Sequence, residues 1–142
     1  MRMELQATPQ EVMRAVEALR EFGRAQELPD RVVFGLALAL EECGCNIVQH
    51  ALGRDAQKKF QVAVERKPTQ ILIELRDGGP EFDFTGFDKP SAPAEDEDAP
   101  GGWGVQIIRR YIDAIRYRRE GNENVLLLIK QLDEPSTAEV KF

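Results

Sequence analysis

The sequence predicts an α+β fold, a two-layer sandwich in which helices cover one face of a mixed, largely antiparallel sheet. Three observations carry this expectation. Strand-period and helix-period stretches are segregated in the order strand, helix, helix, two strands, helix, two strands, which a doubly wound alternation does not produce. Val33, Leu36, Leu40, Cys43 and Ile47 recur at spacings of three and four, so a helix there turns one apolar stripe that needs a layer to bury it. The strand-like runs come in pairs with short turn signals between them, Pro68-Thr69 in one case and Gly121-Asn122-Glu123-Asn124 in the other, as hairpins require.

Taken in order, Met1, Met3, Leu5 and Ala7 alternate with polar residues and form a short strand with one buried face. Thr8 then caps a helix, with Pro9 in its first position and Glu11 reaching back to the free backbone donors. Val12, Ala15, Val16, Leu19 and Phe22 continue that helix as far as Gly23. After Leu28-Pro29, Asp30 is the expected cap of the long helix, which runs to about Leu52 and Gly53. Phe60, Val62 and Val64 mark one strand and Ile71 to Leu75 the next, ending in Asp77-Gly78-Gly79-Pro80, where small residues let something approach the backbone.

From Phe84 to Pro100 three prolines and the run Glu95-Asp96-Glu97-Asp98 exclude regular structure, so a lid is expected over about 83–101. Gly101-Gly102-Trp103-Gly104 opens a helix from Val105 to about Tyr111. Ile115 and Tyr117 alternate with arginines in a strand, and Val125 to Ile129 is an apolar run suited to a strand buried on both faces. The tail, 133–142, is polar and expected to fray.

With 142 residues, the chain is read as one domain, 1–142. Its hydrophobic content of 42% and charged content of 31% are those of a globular protein. No uninterrupted apolar run approaches the roughly 18 residues that span a bilayer, and the start is not a signal peptide, so a cytoplasmic protein with no membrane role is expected. A net charge of -6 argues against nucleic acid as a partner, because Lys and Arg supply most phosphate affinity. Cys43 and Cys45 splay apart on one helix, which disfavours both a disulfide between them and a thiolate cluster with His50.

Chemistry is expected along one helix edge. Glu42, Asn46 and His50 are four apart and stack beside the apolar stripe, where polar groups are costly to hide without partners, so the edge reads as the wall of a polar cleft. Asn46 offers an oxygen suited to Mg²⁺, which takes its other ligands from water and phosphates. Glu42 can take a proton from a hydroxyl held at a terminal phosphate, and Asp77 can accept from an amino group. The free N–H groups at the 101–104 helix opening attract anions. Together these parts describe a nucleoside triphosphate site. Taken singly, each has a plainer reading: a turn for each glycine cluster, a solvated face for Glu42 and Asn46, and a helix-end residue for His50.

The order and spacing of the three features resemble the serine/threonine kinases and anti-sigma factors of bacterial partner switching, within the Bergerat-fold ATPases that include histidine kinases and gyrase. The likeness runs from about Thr8 to Leu132. Glu42-x-x-x-Asn46 with Ile47-Val48-Gln49-His50-Ala51 looks like the family's N box, and Asp77-Gly78-Gly79-Pro80 like its first glycine box. Gly101-Gly102-Trp103-Gly104-Val105-Gln106-Ile107-Ile108-Arg109-Arg110 looks like its second. The ending, Asp113 through Leu126, is similar to the family's closing hairpin.

The resemblance implies a Bergerat sandwich binding ATP and Mg²⁺. In it Asn46 holds the metal, Glu42 acts as the base on the acceptor hydroxyl, and Asp77 bonds the adenine amino group beside Gly79. Gly102 and Gly104, with Val105 in the same box, bring backbone donors to the phosphates. Glu41 rivals Glu42 on sequence alone, and only Glu42 has the four-residue spacing to Asn46. The implied activity is phosphorylation of a serine on a small anti-sigma-factor antagonist, with a sigma factor or comparable target as the alternate partner and a homodimer as the assembly. A sequestering module with little phosphotransfer is the alternative. Two departures stand out: Glu81 occupies the place of a second glycine, implying a stiffer lid hinge, and Gly44 sits inside the helix at a cost of about 1 kcal/mol relative to Ala.

Overall fold

The computed structural model describes residues 1–83 and 102–132. Beyond residue 83 the expected lid, with its acidic run, lies outside the described residues, as does the tail. The chain forms β1 (Arg2–Gln6), α1 (Pro9–Ala25), α2 (Asp30–Asn46) continued by a π-helical turn (Ile47–Ala51), β2 (Lys59–Lys67), β3 (Gln70–Asp77), α3 (Gly102–Tyr111), β4 (Ala114–Glu120) and β5 (Glu123–Gln131).

The sheet has the order β1-β2-β3-β5-β4 and every neighbouring pair is antiparallel, so the mixed component expected from sequence is absent among the described strands. The connections explain this. Two helices between β1 and β2 return the chain to the end it left, which makes the two strands antiparallel. Strands β3 and β4 run the same way, each antiparallel to β5, which inserts between them.

One sheet face is apolar and meets the helices. Leu5 of β1, Phe60, Val62 and Val64 of β2, Ile71, Ile73 and Leu75 of β3, and Leu126 and Leu128 of β5 are all buried at alternate positions. Against them pack Val12, Val16 and Leu19 of α1, Leu36, Leu40 and Cys43 of α2, and Ile108 of α3. Each large side chain so buried stabilises the fold by roughly 1.5–3 kcal/mol. Among the described residues no helix covers the opposite face, and β5 is not buried on both sides as expected: Leu127 and Ile129 remain half-buried. Val125 is buried, with Arg76 and Arg118 opposite it on the two neighbouring strands.

Several boundaries move for local reasons. Thr8 caps α1 as expected, its Oγ1 accepting from Glu11 N–H at 3.2 Å, and Glu11 Oε1 accepts from Gln6 N–H at 3.2 Å. Its hydrogen bond to Arg14, then that to Gln6, holds the Glu11 carboxyl down at about 2. Helix α1 does not stop at Gly23 but runs to Ala25, and Gly23 is buried where an added Cβ would lie 2.7 Å from Val33 Cγ2. Asp30 is not a side-chain cap. Pro29 is the N-cap residue, and its carbonyl accepts from Val32 and Val33. In the last hairpin only Gly121 and Asn122 form the loop, with Gly121 at a φ of 61°, so Glu123 and Asn124 belong to β5.

Helix α2 lies between α1 and α3 and is buried on more than one side. The helical span Asp30–Ala51, with 22 residues, is long and apolar enough to cross a membrane by length and composition, although Glu41 and Glu42 interrupt its apolar run. Here it is the central core helix. At Gly44 an added Cβ would lie 3.0 Å from Val12 Cγ1, so the close approach of α1 offsets the helix-propensity cost.

Candidate functional site

The C-terminal part of α2 presents Glu42 and Asn46 on one edge, as their four-residue spacing requires. Asn46 is 2% exposed. Its Nδ2 donates back to the Glu42 carbonyl at 2.9 Å, while its Oδ1 is buried and has no hydrogen-bond partner among the described residues. A buried acceptor without a donor carries a penalty of about 1–3 kcal/mol, and an oxygen-seeking cation would relieve it. Glu42 is half-buried. Burial pushes its carboxyl above the ordinary range, and Glu41 beside it adds to the shift. A raised value makes it a stronger base when ionised.

Immediately after Asn46 the helix widens into the π turn, with Leu52 N–H reaching the Ile47 carbonyl at 2.8 Å. Such turns are rare and recur at functional sites. The turn ends at Ala51, whose carbonyl oxygen would lie 2.4 Å from a Cβ placed on Gly79. Only glycine therefore fits at 79, and it brings the strand end of β3 against the end of α2. His50 in the same turn is exposed and lies with its ring centroid 5.7 Å from that of Phe82.

Asp77 closes β3 and is 4% exposed. Its Oδ1 accepts from Gly79 N–H at 2.8 Å and from Asn124 Nδ2 at 3.0 Å, which leaves Oδ2 outside both bonds. Asn46 and Asp77, 31 residues apart in the chain, thus line one small cavity of about 20 Å³, shared with Cys43, Phe82, Tyr117 and Asn124. That is room for about one water. Larger grooves of about 370 and 560 Å³ cross the open face of the sheet, and none of the predicted site residues lines them.

Asn124 is the residue that the motif reading missed. It is buried at 4% exposure and joins the closing hairpin to the glycine box. A signal was present: with a two-residue loop at Gly121-Asn122, Asn124 shares its parity with Leu126 and Leu128 and must face inward. Gly102, Gly104 and Val105 fall in the first turn of α3, which opens three residues earlier than expected. The other end of α3 is fixed on α2. The Tyr111 ring meets Phe34 edge-on at 5.6 Å, and its Cβ lies 2.7 Å from where a Gly35 Cβ would be.

The donor set fits the groups that the motifs imply. A carboxamide oxygen with no partner among the described residues suits Mg²⁺, and a buried carboxylate with one oxygen outside its bonds to Gly79 and Asn124 suits an amino-bearing ring.

Comparison with known proteins agrees with this fold. Residues 5–130 match the model of the histidine kinase-like ATPase domain. The chain is 26% identical over 127 residues to the serine/threonine-protein kinase BtrW of Bordetella bronchiseptica, covering 89% of each. In structure it resembles a chain of the SiaB–SiaC complex from Pseudomonas aeruginosa, with a TM-score of 0.63, 13% identity, and 93% and 89% of the two chains covered. It also resembles the histidine kinase domain of the blue-light activated histidine kinase EL346 from Erythrobacter litoralis, with a TM-score of 0.56 and 16% identity. That alignment covers 91% of this chain and 63% of the other. The matched residues span most of the chain, including all five strands of the sheet from Leu5 onward, and the chain belongs to the histidine kinase-like ATPase domain family.

Proposed function

We propose that this protein is a cytoplasmic, ATP-dependent protein-serine kinase of a partner-switching system, which phosphorylates a serine on a small anti-sigma-factor antagonist. A sigma factor or comparable regulator is its alternate partner, and a homodimer is its working assembly. The observation that carries the reading is that Asn46 and Asp77, both buried, meet at one cavity with the Asn46 Oδ1 unpartnered. The likeness to a named serine/threonine-protein kinase over 89% of the chain supports the transfer step. The likeness to a chain solved as a complex with another protein supports a protein partner.

In this reading the Asp77 Oδ2 accepts from the adenine amino group while Oδ1 stays bonded to Gly79 and Asn124. Asn46 would hold Mg²⁺, which would supply charge neutralisation at the phosphates. Helix α3 is about 15 Å long. Its C-terminal Tyr111 packs at Gly35, so an antiparallel run along α2 would bring Gly102, Gly104 and Val105 level with Glu42 and Asn46, where free N–H groups suit phosphate oxygens. Glu42 takes the proton of the substrate serine as its oxygen bonds to the γ-phosphorus. The bond from that phosphorus to the bridging oxygen breaks, and ADP leaves.

The experiment is transfer of labelled γ-phosphate to the antagonist from the native host, with Glu42→Gln as control. Transfer abolished by the substitution supports the kinase. Tight ATP binding with no transfer by the native protein leaves a nucleotide-dependent sequestering module, and no ATP binding removes both.

A further inference from the structure

Asn124 makes five side-chain hydrogen bonds. Its Nδ2 donates to Asp77 Oδ1 at 3.0 Å and to the Pro80 carbonyl at 2.8 Å. Its Oδ1 accepts from Tyr117 Oη at 2.6 Å, from Phe82 N–H at 3.1 Å and from Arg119 Nη1 at 3.1 Å. The partners fix the orientation of the carboxamide, since the flipped amide would set NH₂ against the Phe82 N–H and the Arg119 guanidinium and its oxygen against the Asp77 and Pro80 oxygens. A carboxamide so occupied has no N–H left to offer a ligand, so any effect on one passes through the groups it holds.

Those groups are the glycine box. Asp77, Pro80 and Phe82 are tied to Asn124, and Arg119 Nη1 also donates to the Gly79 carbonyl at 2.8 Å. Four of the six residues from Asp77 to Phe82 are therefore pinned by one asparagine and its arginine neighbour on the closing hairpin. The consequence for Asp77 is geometric. With Oδ1 spent on Gly79 and Asn124, the carboxylate cannot rotate freely and presents its other oxygen in one direction.

We propose that Asn124 is a positioning residue for nucleotide base selection, orienting the Asp77 carboxylate and the Gly79–Phe82 backbone, with Tyr117 and Arg119 holding it in place. The proposal rests on the reading of Asp77 as the acceptor for the adenine amino group. The competing account is a structural staple, which would cost stability when removed and leave base preference alone.

Binding of Mg²⁺-ATP and Mg²⁺-ITP to the intact protein separates these. Inosine carries a carbonyl oxygen where adenine has its amino group, so an oriented Asp77 carboxylate repels it. The native protein should prefer ATP by more than tenfold. Tyr117→Phe removes a single O–H from Asn124 and keeps the ring, and should lower the ATP-to-ITP ratio about threefold. Asn124→Ala should lower it about tenfold, the loss expected when a buried acceptor ceases to be held. Circular dichroism identifies variants that fold, and Tyr117→Phe decides the matter if Asn124→Ala does not. Folded variants with the native ratio, however reduced their stability, overturn the positioning role while leaving Asp77 as the acceptor. A native protein that binds ATP and ITP equally overturns the Asp77 reading itself, and the role of Asn124 with it.

Discussion

At the Asp77 end of the cavity nearly every polar atom has a partner, whereas at the Asn46 end an acceptor is buried with none. The first region is complete as folded. The second is not, and its missing partner is of the kind a cation would supply. A site divided in this way has its base-recognition side preorganised by the protein and its phosphate side finished by the ligand. Recognition at the first end then costs little reorganisation on binding, while folding leaves a penalty at the second that binding removes.

The largest expected effect lies at the incomplete end. Glu42→Gln keeps the size of the side chain and removes the base, so the phosphotransfer rate should fall by about 10²- to 10⁴-fold with ATP affinity little changed. Initial rates and a separate binding titration make the comparison. A rate within a fewfold of native would move the base to Glu41, the neighbour that sequence alone leaves as a rival.

A matched pair of substitutions sharpens the contrast between the two ends. Asn124→Leu strips partners from Asp77, Tyr117, Arg119 and the Phe82 amide at once and should cost about 3 kcal/mol. Asn46→Leu removes an orphan acceptor and should leave stability without nucleotide equal or raised by about 1 kcal/mol, while weakening Mg²⁺-dependent ATP binding. Urea denaturation of both variants without nucleotide reads the difference directly. Equal losses would mean that the Asn46 carboxamide is satisfied after all and that the two ends do not differ.

The boundary between the regions can be broken as well. Gly79→Ala would set a methyl group 2.4 Å from the Ala51 carbonyl, a backbone atom that cannot rotate away. Overpacking of this kind costs about 1–3 kcal/mol, and the shift it forces would fall on Asp77 and on the π turn together. Melting temperature and ATP affinity should therefore drop together. A loss of stability with native affinity would place the nucleotide elsewhere.

How much of this was legible in the sequence follows the same division. The apolar alternation of β2 and β3 and the helical stripe of α2 are local periodicities, and the strands and helix they predict are present. Asp77 and Gly79 read alone as a plain strand-end turn, and only their order and spacing with the Glu42–Asn46 edge and the 101–104 glycines makes them candidates. The strand order was not legible, because the insertion of β5 between β3 and β4 is settled by long-range pairing. Asn124 was missed for a related reason: its partners lie 5, 7, 42, 44 and 47 residues away, so no sequence window contains its environment. The π turn after Asn46 leaves no compositional mark, and the same run reads as ordinary helix. Gly44 looked like a weakness in α2 because its reason, Val12 on another helix, is tertiary.

The smallest effect concerns pH and again sets Glu42 apart. Burial holds its carboxyl above the ordinary glutamate range in the folded protein, so the folded state binds that proton more tightly than the unfolded chain does. The resulting stability is fully present below the ordinary value and is lost as pH rises through the raised one. Catalysis has the opposite slope over the same window, since the base must be ionised to accept the serine proton. Melting temperature measured against pH should fall across that window in the native protein and less in Glu42→Gln, while the phosphotransfer rate of the native protein rises. Parallel melting curves for the two proteins would show that the Glu42 carboxyl is solvated in the fold, and the cleft wall at this end would then be open to water rather than closed around a proton.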